Sequence, residues 1–542
     1  MKCLWLATFL PAVLFSASTA ASLARSFQDS GLDVDAAFRV RDLSFQKDDI
    51  RFYLTEGRII FSKPVEGKRF AAFFTTDVDG GDGEVILFPP HKSERLALSS
   101  FAKTPNLNEH IKTALFLFTD GTGEQLLQRF QSSQKLEPES AVMLDQSYSP
   151  VLRNVAGSYV TRLVQDFLSP GQESQGLFYA VAHGSTLGLF DIVYDPLARE
   201  QILVGQMNVR DGQHYFDAWT SFQARPFRTG VKAPPSPPVR VSDIAIDATV
   251  AADLSLKATT KLTLTATART GRALQFELSR RMRVTEAKFD GVPVEVFNRE
   301  AMRANLTRAT SENDVFLVVL PEPIEPGKSH AFEFQHEGNV IMPAGNGVYF
   351  VAARSSWYPH RESVFARYDL TFRYPKNFDL VATGTLVDQR TDGDQKIARR
   401  RTSQPVRFAG FNIGDYENVS LKQSGLEIAV YANRTVEQAL MPRTTELVLV
   451  PRVAGTRGAG TRNQELATMP VIPSTPNPKA RLHEIAGEIS SVMTFLASQL
   501  GPPPIETLTV SPIPGTFGQG FAGLIYLSTL SYIPASQRPA SL

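Results

Sequence analysis

Leu254-Ser-Leu-Lys-Ala-Thr-Thr-Lys-Leu-Thr-Leu-Thr-Ala266 sets apolar against polar residues with no shift of phase. A period of two places alternate side chains on one face, so the stretch is read as a half-buried antiparallel strand. Leu274, Phe276 and Leu278 continue the pattern, and Val315–Leu320, Ala331–Phe334 and Arg367–Arg373 add further strand-like runs. Turn signals such as Asp290-Gly291 and Pro326-Gly327 cut between them. Residues 239–420 are therefore expected to form a β-sandwich domain.

Upstream, Lys232-Ala-Pro-Pro-Ser-Pro-Pro238 is a stiff polyproline-type spacer. With residues 229–238 as linker, residues 21–228 stand apart as an N-terminal β-rich domain of unassigned role. Its runs Asp49–Ser62, Arg69–Thr76 and Val85–Phe88 are rich in aromatic and branched residues. Asp77-Val-Asp-Gly-Gly-Asp-Gly83 has Asp82 where a calcium loop needs glycine and Phe88 where it needs glutamate, so it is read as a hairpin turn. His183-Gly-Ser-Thr-Leu-Gly188 lacks the G-x-S-x-G spacing of a serine nucleophile and is also read as a turn.

The chain opens with Lys2, an apolar stretch from Leu4 to Phe15, and small residues Ser18-Thr-Ala20. This is the order of an export signal, assigned to residues 1–20, and it is too short to span a bilayer. The protein is thus expected to be periplasmic or extracellular, with no membrane span. Cys3, the single cysteine, falls inside the signal, which leaves the mature chain no disulfide or thiolate ligand. A net charge of +1 makes no electrostatic case for nucleic acid.

Downstream, residues 421–478 are read as a connecting strand followed by an exposed loop, since Arg452–Asn463 and Pro470–Pro478 are rich in glycine or proline. A helix follows, with Asn477 as cap and Pro478 in its first turn. Leu482, Ile485, Ile489, Val492, Leu496 and Leu500 mark its apolar face, and Gly501 with Pro502-Pro-Pro504 ends it. The strand Glu506–Val510 then leads into Gly518-Gln-Gly-Phe-Ala-Gly523, which spells G-x-G-x-x-G. A dinucleotide site needs a helix starting on those glycines and an acid about 20 residues on. Leu524–Ile533 is β-rich, and Thr507–Leu542 contains no Asp or Glu, so this reading is rejected.

The order of these parts resembles the gluzincin zinc aminopeptidases of the membrane-alanyl type. The resemblance rests on Asn346-Gly-Val-Tyr-Phe-Val351, Ser356-Trp-Tyr-Pro-His360 and Tyr368-Asp-Leu-Thr-Phe-Arg-Tyr-Pro375. It continues through Phe378-Asp-Leu-Val-Ala-Thr-Gly-Thr385 and Phe408-Ala-Gly-Phe-Asn-Ile-Gly-Asp-Tyr416. It implies a β-saddle domain at 239–420 and an incomplete start of a thermolysin-like catalytic domain at 479–542. The fold class expected is mainly β with a small C-terminal α/β part. It also places Gly518, Gln519, Gly520, Phe521, Ala522 and Gly523 where the family carries G-x-M-E-N, the edge strand along which a peptide substrate lies. The family's glutamate, which holds the free amine, has no counterpart here. A glycine-rich turn before a buried strand is the competing reading of the same six residues.

Zinc is expected in a full-length family member and not in this chain. The chemistry needs H-E-x-x-H, two imidazoles one helical turn apart with a glutamate base between them. His336-Glu337 is followed by Val340 at the second-ligand position, and His483-Glu484 by Gly487. No catalytic residue is assigned. Leu524–Ile533 reads as a buried strand with no later partner, and Ser536–Leu542 as a polar tail, so the chain is expected to be an inactive fragment of an exported metallopeptidase. The alternative is an exported β-rich binding or scaffold protein that uses strand edges and the Trp357-Tyr-Pro-His360 cluster.

Overall fold

The computed structural model describes residues 19–532 apart from 131–132, 170, 173–174, 212, 298–312, 354, 362–364, 424, 436–446, 451–466, 471–480 and 516. Residues 1–18 of the expected signal, the loop Arg452–Asn463, the cap Asn477 with Pro478, and the tail Ser536–Leu542 lie outside the described residues. The fold is mainly β.

One compact unit comprises the chain up to Val239 together with Ala266–Phe276 and Pro293–Lys328. Its principal sheet has nine antiparallel strands: β1 (Leu32–Lys47), β2 (Ile50–Ser62), β3 (Ala71–Thr75), β4 (Asp82–Leu87), β5 (Leu107–Phe118), β6 (Phe178–Gly184), β7 (Leu189–Tyr194), β8 (Ile202–Arg210) and β9 (Gln213–Phe222). Both faces are buried, because successive residues serve opposite cores. Phe74, Phe116 and Phe118 join the core with Leu98 of helix α2 (Lys92–Ala102) and Leu126 of α3 (Thr122–Arg129). Phe73, Leu115 and Leu117 join the other, with α1 (Ala20–Asp29) and α4 (Pro138–Phe167). Such two-sided burial replaces clean alternation by continuous apolar runs. A short helix, α5 (Arg225–Arg228), follows the last strand.

The acidic segment after β3 is not a hairpin. Both β3 and β4 lie antiparallel between β2 and β5: Arg58 pairs with Thr75 and Glu56 with Asp82, while β5 takes up the other side. They are two halves of one interrupted strand, and residues 76–81 form an outward bulge closed by Gly81 N–H to Val78 O at 2.9 Å. The His183–Gly188 segment is the β6–β7 turn. Buried Glu109 holds it by accepting from the N–H groups of Thr186 and Leu187 and from Thr186 Oγ1.

The other unit comprises Arg240–Thr265, Glu277–Val292 and the chain from Ser329 onward. After β10 (Val239–Val250), the opening stretch becomes β11 (Leu256–Ala266), where all even-numbered side chains are buried. Leu254 itself sits before the strand, in a turn, at φ +67°. In chain order the next strands are β12 (Ala273–Ser279), β13 (Met282–Phe289), β14 (Val292–Pro293), β15 (Glu295–Phe297), β16 (Asn313–Val319) and β17 (Ser329–Gly338), of which β15 and β16 belong to the first unit. Of these, β12, β16 and β15 form a three-stranded sheet in that order. Next come β18 (Met342–Gly345), β19 (Val348–Phe350), β20 (Arg367–Pro375), β21 (Asp379–Ala382), β22 (Thr385–Asp392), β23 (Gln395–Arg401) and β24 (Phe411–Gly414). An eight-stranded sheet runs β14-β13-β17-β11-β10-β20-β23-β22, with β10 and β20 parallel, and a four-stranded sheet runs β18-β19-β24-β21.

The C-terminal part is α/β. Strands β25 (Tyr416–Gln423), β26 (Leu426–Asn433), β29 (Thr507–Ile513), β30 (Gln519–Phe521) and β31 (Leu524–Ser528) form one sheet, while β27 (Leu447–Val450) and β28 (Ala467–Pro470) pair separately. Helix α6 (Leu482–Leu500) crosses between parallel β26 and β29 and buries Leu482, Ile485 and Ala486 against that sheet. Its C-terminal half is different from the expected stripe. Val492, Leu496 and Leu500 are exposed among the described residues. Gly501, at φ +86°, ends the helix and donates its N–H to Ala497 O.

Candidate functional site

The segment Gly518–Gly523 is the free edge of the C-terminal sheet. The order is β25-β26-β29-β31-β30, with β29 and β31 parallel and β30 antiparallel to β31. Thus β31 lies between two earlier strands, and among the described residues no later strand pairs with it, as the reading of Leu524–Ile533 expects. The cause is local: a two-residue turn at Ala522-Gly523 folds β31 back inside β30. No helix begins on these glycines, so the phosphate-cradle geometry is absent here.

The three glycines are not equivalent. Gly523 has φ +73°, and a Cβ there would stand 3.0 Å from Thr507 O, so the turn demands glycine. A Cβ at Gly518 would come within 3.2 Å of Tyr526 O. At Gly520 the nearest atom would be 3.9 Å away. No neighbour in the fold explains glycine at that position, which is exposed on the outer strand.

The side chains of β30 are committed inward. Gln519 Oε1 accepts the Ala353 N–H at 2.7 Å. The Phe521 ring covers Gly410, where a methyl group would overlap it, and meets Tyr526 edge-on with 5.7 Å between centroids. Tyr526 is fully buried, donates to Phe411 O at 2.6 Å, and its hydroxyl is pushed well above the usual phenol range by burial. Val348, Phe350, Val381, Tyr416, Ile513 and Leu524 complete this core. The stretches on which the family resemblance rests, Asn346–Val351, Phe378–Thr385 and Phe408–Tyr416, therefore support the β30–β31 hairpin from beneath.

Trp357 and Tyr358 belong to the interior. Trp357 Nε1 donates to Ala409 O at 2.8 Å, and the Tyr358 and Tyr368 hydroxyls lie 2.9 Å apart. Burial pushes the Tyr358 hydroxyl up to about 12. These two rings offer nothing to a protein or glycan partner, which removes one support of the binding-protein alternative.

Neither His-Glu pair fits zinc. His336 is buried in β17, bonds Thr260 Oγ1 through Nε2 at 2.8 Å, and is pushed down to about 3 by burial. Val340 is buried, and Glu337 pairs with Arg283 and Lys257. On α6, Glu484 pairs with Arg481 at 2.9 Å, and Gly487 supplies no ligand. Among the described residues, no group of three or more His, Cys, Asp or Glu side chains could hold a metal ion, and no helix is long and apolar enough to cross a membrane.

No family model matches the chain, and no curated protein matches it. Among solved structures, the M1 zinc metallopeptidase from Deinococcus radiodurans is similar at 16% identity and a TM-score of 0.39, over 55% of this chain and 62% of that one. A glutamate-to-alanine mutant of that enzyme aligns at 16% identity and a TM-score of 0.38, over 54% and 61%. A two-domain M1 zinc metallopeptidase mutant bound to L-arginine aligns at 15% and 0.39, over 54% and 61%. The chain spans less than two thirds of the length of these structures.

Proposed function

We propose that residues 239–532 are the N-terminal part of a gluzincin aminopeptidase-like chain, and that the outer edge of β30 is a peptide-binding strand without catalytic machinery of its own. The observation that carries this reading is Gly520. It is exposed on a strand edge, and nothing in the fold requires glycine there. An extended peptide can add to such an edge through main-chain hydrogen bonds, and the missing side chain lets its backbone approach. The order of motifs from Asn346 to Tyr416 supports the family.

The chain is also proposed to be exported, on the strength of Lys2, the apolar stretch Leu4–Phe15 and the small residues after it. Zinc would belong to a longer relative, because no H-E-x-x-H occurs in this sequence.

Two measurements test the proposal. Purified protein with added zinc should leave aminoacyl-p-nitroanilide substrates intact, and zinc-dependent hydrolysis would overturn the assignment of no activity. Extended peptides should bind, and Gly520→Pro, which removes one edge N–H, should weaken that binding while the circular dichroism spectrum stays unchanged. Equal binding by this variant sinks the edge-strand reading.

A further inference from the structure

The N-terminal helix α1 uses residues that the simplest reading of the signal would discard. Thr19 is its N-cap: Ser22 N–H donates to Thr19 Oγ1 at 3.1 Å, and Thr19 N–H donates to Ser22 Oγ at 3.0 Å, a reciprocal capping box. Ala20, the first helical residue, is fully buried in the core shared with α4. Glu295 of β15 then grips the same end. Its Oε2 accepts the Ala20 N–H and its Oε1 the Ala21 N–H, each at 3.1 Å. A carboxylate so placed also faces the positive end of the helix dipole.

We infer that the mature protein begins at Thr19, cut from its leader between Ser18 and Thr19 and docked through Glu295. This rests on the export reading. Within residues 1–20, two pairs satisfy the small-x-small rule: Ser16 with Ser18, and Ser18 with Ala20. A leader peptidase acts on the unfolded chain, so the fold does not steer the cut. What the fold discloses is which residues the mature protein uses.

Cleavage after Ala20 would remove the cap, a buried methyl group and one of the two N–H groups on Glu295. Cleavage after Ser18 removes none of them. In that reaction water adds across the Ser18–Thr19 amide. Ser18 leaves with the leader as a carboxylate, and the Thr19 nitrogen becomes an α-amine, protonated at neutral pH. That ammonium keeps donors for Ser22 Oγ, and the Glu295 carboxylate one residue on offsets its charge beside the helix dipole.

The test is to express the whole gene in an exporting bacterium and read the N-terminus of the purified protein by sequencing and intact mass. Thr19 is expected. An N-terminus at Ala21, or at any other cut site, overturns the inference but leaves the leader standing. An uncut chain starting at Met1 overturns the export reading and the inference together. Independently of the host, full-length chains released from a cleavable fusion at Thr19 and at Ala21 can be compared by thermal unfolding. The Thr19 chain should melt several degrees higher, and Glu295→Gln should lower its midpoint. Equal midpoints for the two chains would show that Thr19 and Ala20 are dispensable and sink the inference.

Discussion

Gln519 and Ala353 are joined by a 2.7 Å hydrogen bond from the Ala353 N–H to Gln519 Oε1. Gln519, the one polar side chain of β30, is thus a structural acceptor. Gln519→Ala leaves the half-buried Ala353 N–H without its partner and should cost roughly 1–2 kcal/mol in urea unfolding. Gln519→Glu restores an oxygen in the same place and should retain most of that stability. Because that oxygen is already engaged, Gln519→Glu should bind free and N-acetylated peptides alike. A clear preference for the free amine would show that the added charge reaches the substrate.

Asp191 yields a pH prediction. Burial pushes its carboxyl up to about 6, while Tyr179 donates its hydroxyl to it. With a folded pKa above the unfolded one, the native state binds the extra proton, so this group stabilises most below about pH 4, and its contribution falls away as pH rises through 6. A shift of about two units corresponds to roughly 3 kcal/mol. Asp191→Asn keeps an acceptor for Tyr179 and removes the titration. Its stability relative to the parent should rise by up to that amount between pH 4 and pH 7.5, measured by urea midpoints. A difference that does not change with pH would refute the assignment.

His336 acts in the opposite sense. Its folded pKa of about 3 lies below the unfolded value, so the stability due to the neutral imidazole is complete above about pH 6.5 and is lost as pH falls toward 3. Replacing both hydrogen-bonded partners by apolar residues, Thr260→Val with His336→Leu, avoids leaving an unpaired polar group. The double variant should unfold at a lower pH than the parent in an acid titration followed by tryptophan fluorescence, and an unchanged acid midpoint would count against a titrating His336.

Legibility from sequence followed the physics of burial. The strand β11 could be read because one face is wet and the other dry, so Leu256, Ala258, Leu262 and Leu264 alternate visibly. The 30-residue helix α4 does not declare itself in a region whose sequence reads as β-rich. Its buried stripe includes Ala141, Ser149 and Ala156 beside Leu144, Leu152 and Leu163, and Pro150 interrupts its backbone bonding. Small and polar residues on the stripe dilute a periodicity that larger ones would reveal. The segment Asp77–Gly83 has turn chemistry whether it closes a hairpin or bulges from one strand, and only the shared partners β2 and β5 separate the two. Nor could composition show that Gln519 is spent on Ala353, since that contact joins residues 166 positions apart.

The glycines around the candidate site separate fold from function. At Gly410 an added methyl would run into the Phe521 ring, which is itself packed on Tyr526 and has little room to yield. Gly410→Ala should therefore cost about 1–3 kcal/mol by overpacking. At Gly520 a methyl meets nothing closer than 3.9 Å, so Gly520→Ala should change stability by no more than about 0.5 kcal/mol. A larger Gly520→Val side chain should likewise leave the urea midpoint near that of the parent, yet it occupies the approach of any peptide laid along β30. Weakened binding with unchanged stability at Gly520, set against lost stability at Gly410, is the pattern expected of a peptide-binding edge. If Gly520→Val instead unfolds the protein, glycine is needed there by the fold, and the reason for placing a substrate on this strand disappears.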